Sequence, residues 1–233
     1  MNQKIDVVMT AWPNHPSRMA YFRHTLRSLQ ERLSATGYDM RFCCSSETER
    51  DPAQAWCGEE LAALCESSGV ALVWRDGEAS LGANMNAAMR LVSAPLFLLV
   101  QDDWALLRDC DMGPGARFML DHPDVALLRY SWPDCDAMRP TFVDQPDGWR
   151  RIDLRGKWPY GDDPALRHGD FMQRWGWYKE GGLHGCSEGD MLHRLVRGGA
   201  DIRVIDGEPA FGHIGTIPSV PAPKEHRGRG VFR

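Results

Sequence analysis

Residues 96–107 read LFLLVQDDWALL, an apolar run that ends in two adjacent carboxylates, Asp102 and Asp103, followed directly by Trp104. A continuous apolar run of this kind suits a strand that is buried on both faces of a parallel sheet. Burying an unpaired charge costs free energy, so carboxylates at the end of a core strand need a partner. That partner is a cation, a helix N-terminus or water, and residues elsewhere in the chain bear on the choice.

The chain before this run alternates between strand-like and helix-like segments. Short apolar runs predict strands at 5–13, 40–46 and 70–74. Apolar residues spaced three and four apart predict helices between them, and the clearest such stripe is Met19, Phe22, Leu26, Leu29 and Leu33. This alternation predicts an α/β fold with a mostly parallel central sheet flanked by helices. Ligands of such sheets bind beyond the carboxyl ends of the strands, where Asp102 and Asp103 lie.

The second half of the chain is less regular. Residues 125–130 predict a strand, and residues 186–205 predict a helix followed by a strand. Between them, residues 131–185 are rich in Trp, Pro, Gly and Asp and show no strong periodicity beyond a possible strand at 150–154. Their aromatic side chains suit either a wall around a ligand or a core beneath long loops. Residues 216–233 predict a loop or tail.

The composition narrows the class of protein. The chain of 233 residues has 27 Lys and Arg against 32 Asp and Glu, and its formal charge of −5 argues against nucleic-acid binding. The N-terminus lacks a signal-peptide pattern, and no apolar run reaches the ~20 residues of a membrane helix. The seven cysteines lack metal-type spacing. We therefore expect a cytoplasmic protein with reduced, mostly buried thiols.

Two acidic sets could carry chemistry. Asp102 and Asp103 suit a hard cation such as Mg²⁺ or Mn²⁺, although solvated loop acids or a helix cap would give the same pattern. Ser187 and Asp190 fit a capping box at a helix start, and Glu188 between them would then complement the helix dipole. The alternative is that a carboxylate of this set acts as general base on a hydroxyl.

A third candidate is His213 in the sequence FGHIG, where the flanking glycines would let a ligand approach closely. A lone histidine is more often structural, and that interpretation stays open. The chain has no P-loop, and no GxGxxG follows the first strand. A diphosphate would therefore have to be neutralised by a metal ion.

Five of these segments follow one another along the chain: TAWP (10–13), LGANMNAAM (81–89), QDDW (101–104), SEGDMLHRLVRGG (187–199) and FGH (211–213). In this order they resemble the family 2-like glycosyltransferases. The resemblance implies a GT-A-type fold in a single domain, residues 1–215. Residues 1–107 would be its nucleotide-sugar and metal half, and residues 108–215 its acceptor half.

The resemblance also implies roles for individual residues. Asp103 and His213 match the ligands of a Mn²⁺ or Mg²⁺ ion, and Asp102 matches the neighbouring acid that contacts the ribose or a metal-bound water. Glu188 or Asp190 matches the general base. The donor-binding positions lie in the base-binding loop and in the later turn and helix: Thr10, Ala11, Trp12, Gly82 and Asn86.

These roles imply a metal-dependent, inverting enzyme that moves a sugar from a UDP, GDP or dTDP-type donor to an acceptor hydroxyl. The identity of the nucleotide stays open, because Ser45 and Ser46 stand where an acidic pair often contacts the base. One alternative is a sugar-nucleotide nucleotidyltransferase, a class that usually has a Gly-rich, basic loop after the first strand, where this chain has only Arg18. The other is a non-catalytic domain that binds a carbohydrate or a protein partner.

Overall fold

The computed structural model describes residues 3–47, 52–76, 80–132, 139–143, 148–181 and 186–215. In these ranges the helices are α1 (Pro16–Arg32), α2 (Ala55–Ser67), α3 (Leu81–Met89), α4 (Gly113–Asp121), α5 (Phe171–Trp175) and α6 (Cys186–Arg197). The strands are β1 (Gln3–Ala11), β2 (Leu33–Ser34), β3 (Tyr38–Glu47), β4 (Ala71–Arg75), β5 (Leu96–Gln101), β6 (Trp104–Leu106), β7 (Cys110–Asp111), β8 (Val125–Arg129), β9 (Phe142–Val143), β10 (Trp149–Ile152), β11 (Ala165–His168), β12 (Asp201–Ile205) and β13 (Phe211–His213). The predicted tail, residues 216–233, lies outside the described residues.

The central sheet has the strand order β4-β3-β1-β5-β11-β8-β12-β10-β9. The first four of these strands are parallel, as the alternation of strands and helices predicts. β11 is antiparallel to both of its neighbours, β5 and β8, whereas β12 is again parallel to β8. The sheet is therefore mostly parallel with helices packed on it, and the predicted α/β class is confirmed.

Both faces of the sheet are covered, which explains the continuous apolar run in β5. Leu98 and Val100 face a core formed with α1, α2 and α4, whereas Phe97 and Leu99 face a core formed with α3, α5 and α6. All four side chains are at most 1% exposed. The predicted stripe of α1 packs into the first core; its members are Met19, Phe22, Leu26, Leu29 and, directly after the helix, Leu33.

β11 corrects the interpretation of residues 131–185 as irregular. Its sequence, ALRH, has only two apolar residues, and its charged side chain, Arg167, is completely buried in the middle of the sheet. Hydrophobic periodicity cannot identify such a strand, because the charge of Arg167 is balanced by residues outside the strand.

The described cysteine side chains agree with the expectation of buried thiols. They are free and buried: Cys43, Cys44, Cys57, Cys65 and Cys110. Among the helices of the described ranges, none combines the length and the apolar character that crossing a bilayer requires.

Candidate functional site

The carboxyl ends of β1, β3 and β5 meet at one edge of the sheet and surround a small cleft. Four predicted site residues line it: Thr10, Ala11, Trp12 and Asp102. The other five lining residues had no predicted role in binding: Arg18, Glu47, Leu81, Asn84 and Gln101. Glu47 could have been found, because it directly follows a predicted strand. Arg18 could not, because nothing in its helical spacing distinguishes it from a surface residue.

Hydrogen bonds between neighbouring elements fix the shape of the cleft. Asn84 of α3 donates its side-chain amide to the Ala11 carbonyl at 3.0 Å, and the Ser45 hydroxyl donates to the Asn84 side-chain oxygen at 2.8 Å. Glu47 at the end of β3 accepts from the Ser80 backbone N–H at 2.9 Å. The strand ends are thus held to the start of α3, so the cleft is formed before any ligand binds.

The partner of the two carboxylates after β5 is the guanidinium of Arg18. Its Nη1 donates to Asp103 Oδ2 at 2.8 Å, its Nη2 donates to Asp102 Oδ1, and all three residues are buried. The Trp12 backbone N–H also donates to Asp102 Oδ2 at 3.4 Å. Of the three partners that the sequence left open, the chain itself therefore supplies the cation.

The two carboxylates differ in proton affinity. Burial, together with the negative charge of Asp103, raises the pKa of Asp102 to about 7 in spite of Arg18. Burial also opposes ionisation of Asp103, but hydrogen bonds and positive charge from His213 and Arg18 outweigh it and lower the pKa of Asp103 below its ordinary value. Asp103 is therefore the more readily ionised carboxylate, and ionised carboxylates are what metal ions bind.

The two predicted metal ligands, Asp103 and His213, lie next to each other. His213 Nε2 is 3.4 Å from Asp103 Oδ2, and Asp103 Oδ1 is buried without a hydrogen-bond partner in the described part of the chain. The ring of Trp104 packs against His213 at a centroid distance of 5.2 Å. One carboxylate and one imidazole fit a cation that takes its other ligands from phosphates and water. Within the described ranges, no group of three or more His, Cys, Asp or Glu side chains forms a metal site.

Gly82 and Asn86 of α3 hold the segment that follows α5. A Cβ atom at Gly82 would overlap the Lys179 carbonyl oxygen, so only glycine fits there. Asn86 accepts from the Tyr178 N–H at 2.9 Å and donates to the Tyr178 carbonyl at 2.9 Å and to Glu180 at 2.7 Å. The structure thus places both residues against this segment, and their role in donor binding stays a prediction.

Glu188 lies in the first turn of α6, and its Oε1 accepts from the backbone N–H of Asp162 at 2.9 Å. Burial, together with the charges of Asp162 and Asp163, raises the pKa of Glu188 to about 7. A carboxylate with that pKa is well matched to general-base catalysis near neutral pH. The neighbouring Ser187 packs against Gly82. Glu188 therefore directly follows, along the chain, a residue that contacts the first turn of α3, and this turn borders the cleft.

Asp190, the other candidate base, lies at the surface. Its Oδ2 accepts from Arg194 Nη2 at 2.8 Å, one turn along α6, and its side chain is 41% exposed. Arg194 also donates to the Trp177 carbonyl at 2.9 Å. α6 begins at Cys186, so Ser187 lies inside the helix and the capping-box interpretation does not hold. The geometry therefore favours Glu188 over Asp190 as a base.

No protein-family model and no curated protein matches this chain. Solved structures match its fold. Residues 1–349 of S. aureus TarS in complex with UDP-GlcNAc give a TM-score of 0.63 at 11% identity, over 93% of this chain and 60% of that one. The same TarS residues in complex with UDP give 0.58 at 12% identity, over 90% and 60%. CMP:2-keto-3-deoxy-manno-octonic acid synthetase complexed with CTP gives 0.57 at 14% identity, over 94% of each chain.

At these low identities the likenesses concern the fold. The chain spans 60% of the length of the TarS chain that it matches. The strand order, the cleft beyond the carboxyl ends of β1, β3 and β5, and the match to TarS all agree with the fold that the order of the sequence motifs implies. The chain has a GT-A-type fold.

Proposed function

We propose that this protein is a metal-dependent glycosyltransferase that moves a sugar from a nucleotide-diphosphate donor to an acceptor hydroxyl with inversion at the anomeric carbon. The observation that carries the proposal is the arrangement at one sheet edge. A preformed cleft lies beside the Asp103–His213 pair, and the half-buried side chain of Glu188 directly follows Ser187, which packs on the start of α3. These are the parts that donor binding, charge neutralisation and proton removal need.

The cleft suits the nucleoside of the donor, with Thr10, Ala11 and Trp12 along one wall. Asp103 and His213 would hold Mn²⁺ or Mg²⁺. The bound ion would supply positive charge that stabilises the departing nucleotide diphosphate. Arg18 holds the carboxylates of Asp102 and Asp103 beside each other. They therefore need not move before a metal ion or a donor binds.

Glu188 takes the proton of the acceptor hydroxyl while the hydroxyl oxygen attacks the anomeric carbon. The new carbon–oxygen bond forms on one face of the sugar. On the opposite face, the bond to the diphosphate oxygen breaks and its electron pair leaves with the diphosphate, so the configuration inverts. The raised pKa of Glu188 favours this step, because the carboxylate accepts a proton more readily than an exposed one does.

The variant Glu188→Gln tests this assignment, because glutamine keeps the size of the side chain and an oxygen for the Asp162 N–H. We expect sugar transfer to fall roughly 10²-fold or more, since the proton acceptor is lost. Donor affinity, measured by calorimetry, should stay unchanged. Asp190→Asn is the parallel variant: full turnover in Glu188→Gln together with loss of turnover in Asp190→Asn would move the base to Asp190.

Thermal unfolding of the protein with UDP, GDP, dTDP or CDP, each with Mn²⁺ or with EDTA, tests the donor site. A nucleotide present at ~100 times its dissociation constant should stabilise the folded state by about 2.7 kcal/mol. Stabilisation by one nucleotide that EDTA abolishes supports the proposal and names the donor class. Stabilisation that survives EDTA would contradict the metal requirement, and no stabilisation by any nucleotide would favour a non-catalytic binding domain.

The match to the CTP complex of the synthetase, which spans 94% of both chains, favours nucleotidyl transfer as a second candidate. Enzymes of this class usually carry a Gly-rich, basic loop after the first strand. In residues 10–18 the only arginine or lysine is Arg18, and it is engaged by Asp102 and Asp103. Release of pyrophosphate from CTP or another nucleoside triphosphate in the presence of a sugar would identify this second activity.

A further inference from the structure

Two arginines on neighbouring strands lie beneath a loop formed by residues 160–164, which we name the acidic loop. Arg129 of β8 and Arg167 of β11 are 1% and 0% exposed. Arg129 donates to Asp163 Oδ2 from Nε at 3.0 Å and from Nη2 at 2.7 Å, and Arg167 Nη2 is 3.8 Å from Asp162 Oδ1. Buried ion pairs contribute little net stability compared with apolar residues, so two of them at one place indicate a use beyond stability.

The acidic loop also places a carboxylate oxygen of Asp163 near Glu188. Asp162 Oδ2 and Asp163 Oδ1 are buried and have no hydrogen-bond partner in the part of the chain that the structure describes. Asp163 Oδ1 and Glu188 Oε1 lie 3.1 Å and 3.4 Å from the point that a Cβ atom of Gly161 would occupy. Asp163, which is 3% exposed, and Glu188 therefore converge on the same small space beside Gly161.

The backbone that leads into this loop is held in an uncommon conformation. Trp158 has φ +42°, which is in the left-handed region that non-glycine residues rarely adopt. Its carbonyl accepts from Arg129 Nη1 at 3.2 Å. Arg129 thus fixes both the turn at Trp158 and the carboxylate of Asp163, and backbone strain of this kind tends to cluster at functional sites.

The charged groups that face Glu188 are Asp162 and Asp163 from the acidic loop and Arg129 from β8. Burial and the two carboxylates raise the pKa of Glu188 to about 7, whereas the Asp162 N–H and Arg129 act in the opposite direction. The charges of Asp162 and, to a smaller extent, Asp163 therefore make Glu188 a stronger proton acceptor than its position in a helix N-terminal turn alone would give.

We infer that Asp163, fixed by Arg129, is a positioning residue that keeps Glu188 ready to accept the proton of the acceptor. This inference rests on the proposed role of Glu188 as the base in sugar transfer. Asp163 itself forms no bond to the substrate. The proton moves from the acceptor oxygen to Glu188, and the fixed charge of Asp163 favours its arrival there.

The test is the titration of Glu188 in protein that carries ¹³C in its glutamate side-chain carboxyl groups. The Glu188 signal is the one that disappears in Glu188→Gln. In the wild-type protein we expect a midpoint at about 7. In Asp163→Asn, which keeps the shape and removes the charge, we expect the midpoint to fall by about one pH unit. The apparent pKa of the acid limb in the pH–rate profile for sugar transfer should fall by the same amount.

The control is Asp170→Asn, which removes a carboxylate that is 61% exposed and does not face Glu188. It should leave the midpoint where it is in the wild-type protein. Equal midpoints in Asp163→Asn and the wild-type protein would overturn the inference. If Asp163→Asn does not fold, Gly161→Ala replaces it, because its methyl group would lie 3.1 Å from Asp163 Oδ1 and only in ordinary contact, at 3.4 Å, with Glu188 Oε1, so that it moves the Asp163 carboxylate and lowers the midpoint. An unchanged midpoint in that variant would also overturn the inference.

The titration is independent of sugar transfer, so the two proposals can fail separately. If the midpoint shifts but no donor sugar is transferred, the coupling of Asp163 to Glu188 stands and the proposed function is wrong. If sugar is transferred and the midpoint does not shift, Glu188 works without Asp163 and only the inference is wrong.

Discussion

Arg18 balances two buried carboxylates with one guanidinium, and at the scale of single residues this is the most demanding contact near the cleft. The residue itself is 4% exposed, and Asp102 and Asp103 are 2% and 7% exposed. Because all three side chains are buried, water could replace the arginine only in part if it were removed. The cost of breaking such a group is therefore the cost of leaving charge buried and unpaired.

The variant Arg18→Met should lower the free energy of unfolding by roughly 3–5 kcal/mol, because it removes one partner of a buried ion pair. Denaturation by guanidinium chloride measures the change. Arg27→Met is the control: Arg27 pairs with Glu31 one turn along α1, and both side chains are more than half exposed to solvent. Its denaturation midpoint should equal that of the wild-type protein, and a similar midpoint for Arg18→Met would contradict this account.

At the scale of elements, α3 joins the two halves of the site. Its first turn borders the cleft, since Leu81 lines it, and Gly82 lies against the Lys179 carbonyl. Asn86, one turn later, makes three hydrogen bonds to the segment after α5. One helix thus fixes the distance between the cleft and the segment that leads into α6.

Two glycines in helices give a matched prediction. Gly82→Ala should destabilise the protein by about 1–3 kcal/mol, because the new methyl group overlaps backbone that cannot easily move. Gly189→Ala in α6 has open space around its Cβ position and should instead stabilise the protein by about 0.5–1 kcal/mol. Thermal denaturation of both variants checks the opposite signs, and a loss of stability in both would show that the contact with Lys179 is not the cause.

The elements that could be predicted from the sequence are those buried through apolar residues. The groups that were missed are those in which a charged side chain is buried. The parallel strands of the first half could be predicted because apolar runs alternate with helical stripes. β11 could not be predicted, because Arg167 reads as a surface residue until Asp162, the Tyr178 hydroxyl and the Tyr160 ring surround it. The site shows the same division: the acids at strand ends were found from position, whereas Arg18 and Asp163 act through partners that are distant along the chain.

At the scale of the whole molecule, β5 is shared by the two cores on opposite faces of the sheet. Leu98 belongs to the core with α1, and Leu99 belongs to the core with α6. The two faces therefore cannot lose their packing independently. Unfolding of the described part of the chain should be a single cooperative transition.

Leu98→Ala and Leu99→Ala test this directly. Each should cost about 2–5 kcal/mol, because each leaves a cavity in a core where the side chain is fully buried. Tryptophan fluorescence and far-ultraviolet circular dichroism should report the same midpoint in both variants. Leu107→Ala, at a position that is 55% exposed, is the control and should change the stability by less than about 0.5 kcal/mol. Two separate transitions in either core variant would show that the faces unfold independently.

The position of β11 in the middle of the sheet has a consequence for protein synthesis. When β5 leaves the ribosome, its neighbour on one side, β1, has already been made, but its neighbour on the other side is still to be translated. An apolar strand with an open edge is a template for pairing with other chains. The newly made chain is therefore most prone to aggregate after β5 has left the ribosome and before β11 has, and a translational pause within that interval should lower the yield of folded protein more than one placed after β11 has emerged.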